Sequence, residues 1–476
     1  MILKIIVLNP PYVDDFCRSA RWAAKSRGRV QRHPDWLLIL TAVLEKAGHQ
    51  VKFVDGAALN MKKTDVEDIA RQFRPELAVL HTTTPSIYND IDYAKTIKGL
   101  TGAMTALVGP HVSALPADTL MIDKGAVDAV ARGEYDYTIR DIASGTPLSD
   151  VAGIDWLDGE TVRHNPDREP LDVKELPFPA WHHIKPEWYY DAGKKFPFLT
   201  LISGRGCFGK CTFCRDTQLM YGRKLRYRDP VQVVDEMEYD VKLFPQLNEI
   251  MFETDTFAAS RQHAQGVCDE ILRRGLKISW SCNSRVDIDL ALLPLLKKAG
   301  CRMLMVGFEF GTQTGLDSVK KGVTVEQSRK FAEEAARLGF VIHGCFMVGA
   351  PGETEDTARE TLRFARSLPL DTIQVSGICT YPGTELYAWA KEHGYVVADD
   401  WREWVSKDYE QVTLLSYPQL TKERIDQLID EGLKGFYLRP RQMARMLLNI
   451  RSMADLKRKL YGLKAFLNYF GKKEIK

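Results

Sequence analysis

Twice along this chain, short apolar and β-branched runs alternate with stretches of helical period, and that alternation restricts the fold more than any other property. The first series places runs at Leu3–Leu8, Val51–Val54, Leu77–Leu80, Thr105–Val108 and Ala126–Val130. Amphipathic stretches such as Trp36–Lys46, Asp65–Phe73 and Ile91–Gly99 lie between most of them. Strands alternating with helices predict a doubly wound parallel sheet, whose ligand lies beyond the carboxyl ends of the strands. Those ends read Asn9-Pro10-Pro11-Tyr12, His81-Thr82-Thr83-Thr84-Pro85, Gly109-Pro110-His111 and Arg132-Gly133-Glu134. Four loops rich in Gly, Pro, Thr and small polar groups therefore gather on one rim.

A proline-rich connector follows, with a short hairpin expected over Gly153–His164 around Asp158-Gly159. The second series runs from Phe198 to about Tyr381. Its expected strands are Leu199–Ser203, Glu249–Thr254, Lys277–Asn283, Met303–Phe308, Val341–Val348 and Thr372–Ile378. Helices are expected at about Pro230–Phe244, Arg261–Arg274, Leu290–Lys298, Val325–Leu338 and Glu355–Ser367. Asp229-Pro230 reads as an N-cap with proline at the first helical position, and Thr324 with Gln327 as a capping box.

Between the first strand and first helix of this series lies Gly204-Arg205-Gly206-Cys207-Phe208-Gly209-Lys210-Cys211-Thr212-Phe213-Cys214. Thiolates are the usual protein ligands of iron–sulfur clusters, and three of them on a four-iron cube leave one iron open for chemistry. Gly206 and Gly209 let such a loop curl tightly. The other readings are a structural zinc site, which wants a fourth Cys or His nearby, and three unrelated buried thiols. The nine cysteines fit a reducing compartment. No apolar run reaches the roughly twenty residues that span a bilayer, and Met1–Leu8 is too short for a secretion signal, so the expected location is cytoplasmic. The formal net charge is +2. From Arg439 onward eleven Lys and Arg face only Asp455 and Glu474, a net of +9, so residues 1–438 carry 2 − 9 = −7.

With Phe213 just ahead of its third cysteine, the loop resembles the radical S-adenosylmethionine (radical SAM) superfamily. The resemblance implies a [4Fe-4S] cluster on Cys207, Cys211 and Cys214 whose open iron chelates the amino and carboxylate groups of SAM. An electron from the cluster then cleaves SAM to a 5′-deoxyadenosyl radical, with Phe213 near the adenine. Six βα units correspond to a partial (β/α)6 TIM-like barrel, with reactive groups inside it and at its carboxyl ends. Strand alternation puts Met251, Glu253 and Asp255 on one face, Ser281, Asn283 and Arg285 on another, and Gly307 with Glu309 on a third. Glu253 and Asp255 stand where the family binds the SAM amino group, and Asn283 and Arg285 near its carboxylate and ribose. Glu309 joins them, and Gly349-Ala350-Pro351-Gly352-Glu353 resembles the family's Gly-x-Pro-Gly-Glu turn, adding Gly349 and Gly352. Each charged residue alone reads equally as a barrel-interior salt bridge. His343, Cys345, Gln374 and Ser376 are candidates to face a substrate, with core packing the alternative for Cys345.

The rim of the first series resembles the cobalamin-binding domain that precedes many radical SAM domains, in the Gly-Pro-His-x-x-Ala-Leu-Pro run at 109–116 and the Arg-Gly-Glu at 132–134. It implies Thr83, Gly109, Pro110, His111, Gly133 and Glu134 as cobalamin contacts. There is no Asp-x-His-x-x-Gly, the motif whose histidine ligates cobalt in B12-dependent mutases, so no protein ligand to cobalt is assigned. A Rossmann-like domain that merely caps the barrel is the alternative. The expected division is a Rossmann-like cobalamin-binding-type domain over 1–145, a connector over 146–195, the radical SAM barrel over 196–395 and a C-terminal helical region over 396–476.

Within the superfamily the chain resembles the hopanoid-biosynthesis enzymes that form a cyclitol ether headgroup and the archaeal calditol-forming enzymes. The shared features include the Thr-rich loop at 82–85, Trp280-Ser281-Cys282-Asn283, Ile342-His343-Gly344 and Ile373-Gln374-Val375-Ser376. That resemblance implies carbocyclic ring contraction on a lipid-linked sugar, although the residues themselves show neither lipid nor sugar. A cobalamin-dependent radical SAM C-methyltransferase is the alternative, and a non-catalytic iron–sulfur sensor the lesser one. The implied partners are a flavodoxin- or ferredoxin-type electron donor and no nucleic acid. The tail Arg441–Phe470 interleaves apolar and basic residues. It reads either as a peripheral contact with an anionic membrane, on its inner face, or as a helical lid on the barrel.

Overall fold

The computed structural model describes residues 2–26, 28–448, 456, 460 and 462–464. The first sheet has seven strands in the order β2-β1-β3-β4-β5-β6-β7. They are β1 (Lys4–Asn9), β2 (Gln50–Asp55), β3 (Leu77–His81), β4 (Met104–Val108), β5 (Ala129–Ala131), β6 (Ile154–Asp158) and β7 (Thr161–His164). β1 to β5 pair in parallel. Side chains alternate between two cores. Ile5 and Val7 join Leu37 and Leu40 of the helix Asp35–Lys46, while Ile6 and Leu8 join Ile91 and Ile97 of the helix Ile87–Thr101. A sheet buried on both faces has this continuous apolar β1 for a physical reason: neither face meets water. The hairpin expected in the connector is present. Its first strand, β6, pairs antiparallel with β5, so the hairpin belongs to the first sheet and not to a free connector.

The second sheet is β8 (Phe198–Leu201), β11 (Glu249–Phe252), β12 (Ser279–Ser284), β13 (Cys301–Glu309), β14 (Val341–Val348) and β15 (Thr372–Gly377), all parallel and in chain order from β8 to β15. β8 and β15 do not pair with each other, which makes this an open, partial barrel. Between β8 and β11, the two-residue strands β9 (Gly204–Arg205) and β10 (Arg226–Tyr227) close an antiparallel ladder around the cysteine loop. The expected caps are in place. Asp229 accepts from Val231 N, Thr324 and Gln327 form a reciprocal capping box, and Thr354 accepts from Thr357 N.

Ion pairs tie the carboxyl rim of the first sheet to the ladder of the cysteine loop. Arg205, on β9, donates to Glu134 (3.2 Å) and Asp136 (2.7 Å), and Arg226 on β10 donates to Glu134 at 2.8 Å. The Arg205 guanidinium also lies 4.0 Å from the Trp36 ring centroid. These charges are buried, and removing one partner of such a set is far costlier than the pair is stabilising.

At the C-terminus, Lys422–Tyr437 and Pro440–Leu448 are helical. The remainder of the expected amphipathic tail lies outside the described residues, save 456, 460 and 462–464. Among the described residues no helix is long and apolar enough to cross a membrane.

Candidate active site at the barrel mouth

The cysteine loop is shaped by two glycines for different reasons. Gly206 has φ +96°, and a Cβ there would sit 2.1 Å from the Lys224 carbonyl oxygen. Gly209 needs space, not a left-handed backbone. A Cβ on it would lie 3.4 Å from Cys207 Sγ, 3.7 Å from Cys211 Sγ and 2.9 Å from Arg285 Nη1, so the missing side chain leaves open the hollow between two thiols. Gln218, on the π-helical turn Asp216–Met220, donates to the carbonyls of Cys211 (3.3 Å), Thr212 (3.1 Å) and Cys214 (3.0 Å) and fixes the loop's curvature. Burial pushes the Cys214 thiol up to about 11, opposed by the nearby Arg21 guanidinium. A thiolate there needs a compensating cation, which iron supplies. Three thiols around a hollow that only glycine leaves free fit a cubane cluster. Phe213 is partly buried against the main core beside them.

At the carboxyl ends of the barrel strands, Glu253, Asp255 and Asn283 of the expected SAM set come together. Glu253 accepts from Asn283 Nδ2 at 3.0 Å and pairs with Arg32. Asp255 accepts from Arg21 at 2.9 Å, and burial raises its carboxyl to about 6. Arg285 turns away from this pair. It grips Asp287 with two bonds (2.8 and 2.7 Å) and reaches within 4.0 Å of Cys211 Sγ. Its place beside the cysteines, not with Asn283, arises because it follows the last residue of β12. Glu309 has φ +64° at a register shift in β13, and Lys321 donates to it at 2.7 Å. Strain of this kind in a non-glycine residue persists where surrounding contacts over-determine it. The turn after β14 has Gly349 at φ +98° and Gly352 at φ +75°. The Glu353 side chain accepts from the backbone N–H of Gly349 and Ala350, and burial lifts its carboxyl to about 7. On the barrel interior, His343 hydrogen-bonds Thr372 at 2.8 Å, and burial lowers it to about 4, which keeps it neutral. Cys345 is half-buried, and burial raises its thiol to about 12.

The opposite wall is the rim of the first sheet. Gly109 (φ +117°) lies against the Thr82 carbonyl, where a Cβ would come within 2.8 Å. With Pro110 it lines a cleft that Glu253 and Asp255 line from the other side. Gly133 faces the Met220 carbonyl, 3.2 Å from where its Cβ would be. Three expected cobalamin contacts have other partners. Glu134 is taken up by the interdomain ion pairs, and His111 is buried against Trp401 with Nδ1 3.2 Å from Thr84 Oγ1. Thr83 is likewise buried, bonded to Ser86 at 2.6 Å.

Residues that local sequence pattern did not single out complete the cleft. From the residues ahead of the first helix, Arg18, Arg21, Arg32 and His33 line it. Arg18 is buried and donates to Asp90 and to the His81 carbonyl, both at 2.7 Å. Its Nε and Nη1, His81 Nδ1, and the Tyr135 hydroxyl have no hydrogen-bond partner among the described residues. Buried polar groups are nearly always satisfied, so this wall fits a large polar ligand such as cobalamin.

Comparison with known proteins agrees with the two walls. The Radical SAM superfamily profile matches residues 201–365 and the B12 binding domain profile residues 27–143. An uncharacterised methyltransferase of Pyrococcus horikoshii is 28% identical over 93% of this chain and 94% of its own. The anaerobic magnesium-protoporphyrin IX monomethyl ester cyclase of Rubrivivax gelatinosus is 28% identical over 74% of this chain and 65% of its own. The structure of the radical SAM methyltransferase TsrM from Kitasatospora setae, with cobalamin and a [4Fe-4S] cluster bound, superposes with a TM-score of 0.72 at 15% identity, covering 98% of this chain and 100% of that one. That likeness is one of fold. The chain carries a radical SAM domain over residues 201–365 and, ahead of it, a B12-binding domain over residues 27–143.

Proposed function

We propose that this chain is a cobalamin-dependent radical SAM methyltransferase that acts on a carbon. The observation that carries the reading is the shared cleft: the rim of the B12-binding sheet and the acids at the barrel mouth line one cavity. Ring contraction needs only the radical side of that cleft, whereas methyl transfer uses both. The Pyrococcus and Kitasatospora relatives, both methyltransferases by name, support methyl transfer over ring contraction, and nothing described here favours a lipid-linked sugar.

Cobalamin, when bound, would carry the methyl group, and the cluster with SAM would supply the hydrogen-abstracting radical. Cys207, Cys211 and Cys214 would hold the cluster, with Arg285 placing positive charge beside Cys211 and so stabilising thiolate. Glu253, oriented by Asn283, would accept the SAM ammonium, and Asp255 would complete that end. Arg32 already occupies Glu253, so SAM must displace or share it. Gly349 and Gly352 would let backbone approach the cofactor while Glu353 holds the turn closed. On the far wall Arg18, His81, Gly109, Pro110 and Tyr135 would meet the cobalamin. Thr83, Gly133, Glu134 and His111 would support this wall from behind. Like other radical SAM enzymes the chain would draw electrons from a reductant such as a flavodoxin or ferredoxin.

Methyl-labelled SAM tests the reading. The reconstituted, reduced enzyme, given cobalamin and cell extract, should form both S-adenosylhomocysteine and 5′-deoxyadenosine and label a product. Formation of 5′-deoxyadenosine alone, with an unlabelled product, would restore ring contraction.

A further inference from the structure

We propose a divalent-metal site, separate from the cofactor cleft, formed by Glu45, His182 and His183. The three side chains converge from two parts of the fold. Glu45 lies in the last turn of the helix Asp35–Lys46, and the histidines lie on the short 3-10 turn Trp181–His183 in the segment leading to the barrel. That turn is held in place independently of any ion. Trp181 is fully buried, and Ala180 N donates to the Leu38 carbonyl at 3.0 Å.

Both imidazoles aim the same atom at the same target. His182 Nε2 is 3.1 Å and His183 Nε2 2.8 Å from Glu45 Oε1, and the three donor atoms lie within 4.8 Å of one another. Zinc bonds of about 2.0–2.1 Å to nitrogen and oxygen set donors of a tetrahedron roughly 3.4 Å apart, so the two spacings to Glu45 Oε1 need to open by only tenths of an ångström. Two imidazoles and one carboxylate are a donor set for a borderline cation of the zinc type, not for magnesium or calcium, which prefer all-oxygen shells. His182 keeps 51% of its side-chain exposure, which gives an ion access and leaves its fourth position to water.

The consequence is mechanical. The same helix begins with Asp35, Trp36 and Leu37, which line the cofactor cleft. An ion on Glu45 would clip the interdomain segment to that helix and stiffen one cleft wall.

The test uses cluster-loaded enzyme, in which the loop thiols are already occupied, equilibrated anaerobically with zinc chloride and then dialysed. Elemental analysis should find one zinc per chain beyond the iron content, and zinc should raise the melting temperature. Glu45→Gln, His182→Ala and His183→Ala should each weaken binding roughly tenfold or more and abolish the thermal shift, while the surface variant His393→Ala should bind as the parent does. His183→Gln, which retains a donor to Glu45, separates ion loss from misfolding. Zinc lost on dialysis, or retained equally by the three variants, would leave only hydrogen bonds here and overturn the site. Bound zinc without any thermal shift would overturn the clip.

Discussion

Replacing Arg32 by Gln should tighten SAM binding, and the size of the effect can be worked from the ion pair it breaks. Two unit charges about 4 Å apart attract by about 4 kcal/mol at an effective dielectric constant near 20. Arg32 and Glu253 keep 23% and 16% of their side-chain exposure, so water screens both groups and the pair's net worth falls to about 1 kcal/mol. A SAM ammonium directed to Glu253 must overcome that amount. Without the guanidinium, the dissociation constant should fall about fivefold, while Asn283 still orients the carboxylate from its other oxygen. Equilibrium dialysis of labelled SAM against cluster-loaded protein measures this directly, with Arg32→Lys as the variant that keeps the charge and should bind like the parent. Weaker binding by Arg32→Gln would refute the reasoning, because it would mean that Arg32 holds the SAM carboxylate and is not a competitor for Glu253.

The cluster should depend on its three thiolates as a unit: Cys207→Ala, Cys211→Ala and Cys214→Ala should each lose the brown absorbance and 5′-deoxyadenosine formation, with Cys301→Ala nearly silent. Gly209→Val, which fills the hollow between Cys207 and Cys211, should lose iron while the protein stays folded by circular dichroism; full iron content would mean the cluster sits elsewhere. Gly109→Val should lose corrinoid from protein purified anaerobically out of hydroxocobalamin-fed cells while keeping its iron, and unchanged corrinoid would remove Gly109 from that wall. Glu353 is raised from 4.5 to about 7 by burial. The folded state therefore holds its proton more tightly than the unfolded chain, and stability falls as pH rises between those values, by at most about 3 kcal/mol. Glu353→Gln cannot ionise, so its melting temperature should gain on the parent's from about pH 5 to 8, and parallel curves would refute the assignment.

Elements whose information is local were legible in the sequence. The six barrel strands, the capping box at Thr324 and Gln327, and the hairpin turn at Asp158-Gly159 all follow from periodicity or from side chains bonding the nearby backbone. The hairpin's place in the first sheet was not legible, since which strand edge it joins is decided by packing. The segment 12–34 was missed altogether. It has no helical or strand period, and Arg32 meets Glu253 across 221 positions, a pairing that local pattern does not encode. Gln218 was missed for a related reason: an amide on a helical turn carries no signal until its three carbonyl acceptors are brought beneath it. Glu134 carries a duty that its tripeptide does not encode: its carboxylate is held by Arg205 and Arg226. Arg285 was placed near SAM by strand alternation, which ceases to apply one residue past the end of β12.

The clamp of Glu134 and Asp136 on Arg205 and Arg226 bears on how such a protein can be re-engineered. Its basic half lies on the two short strands that close the cysteine loop, and its acidic half lies just past β5 of the first sheet. A barrel grafted onto a foreign B12-binding domain would strand two guanidinium groups without counter-ions at the base of its own iron–sulfur loop. The two halves are therefore not interchangeable cassettes. A chimera should need the acidic pair transplanted with the graft, or Arg205 and Arg226 exchanged together for apolar residues of similar volume.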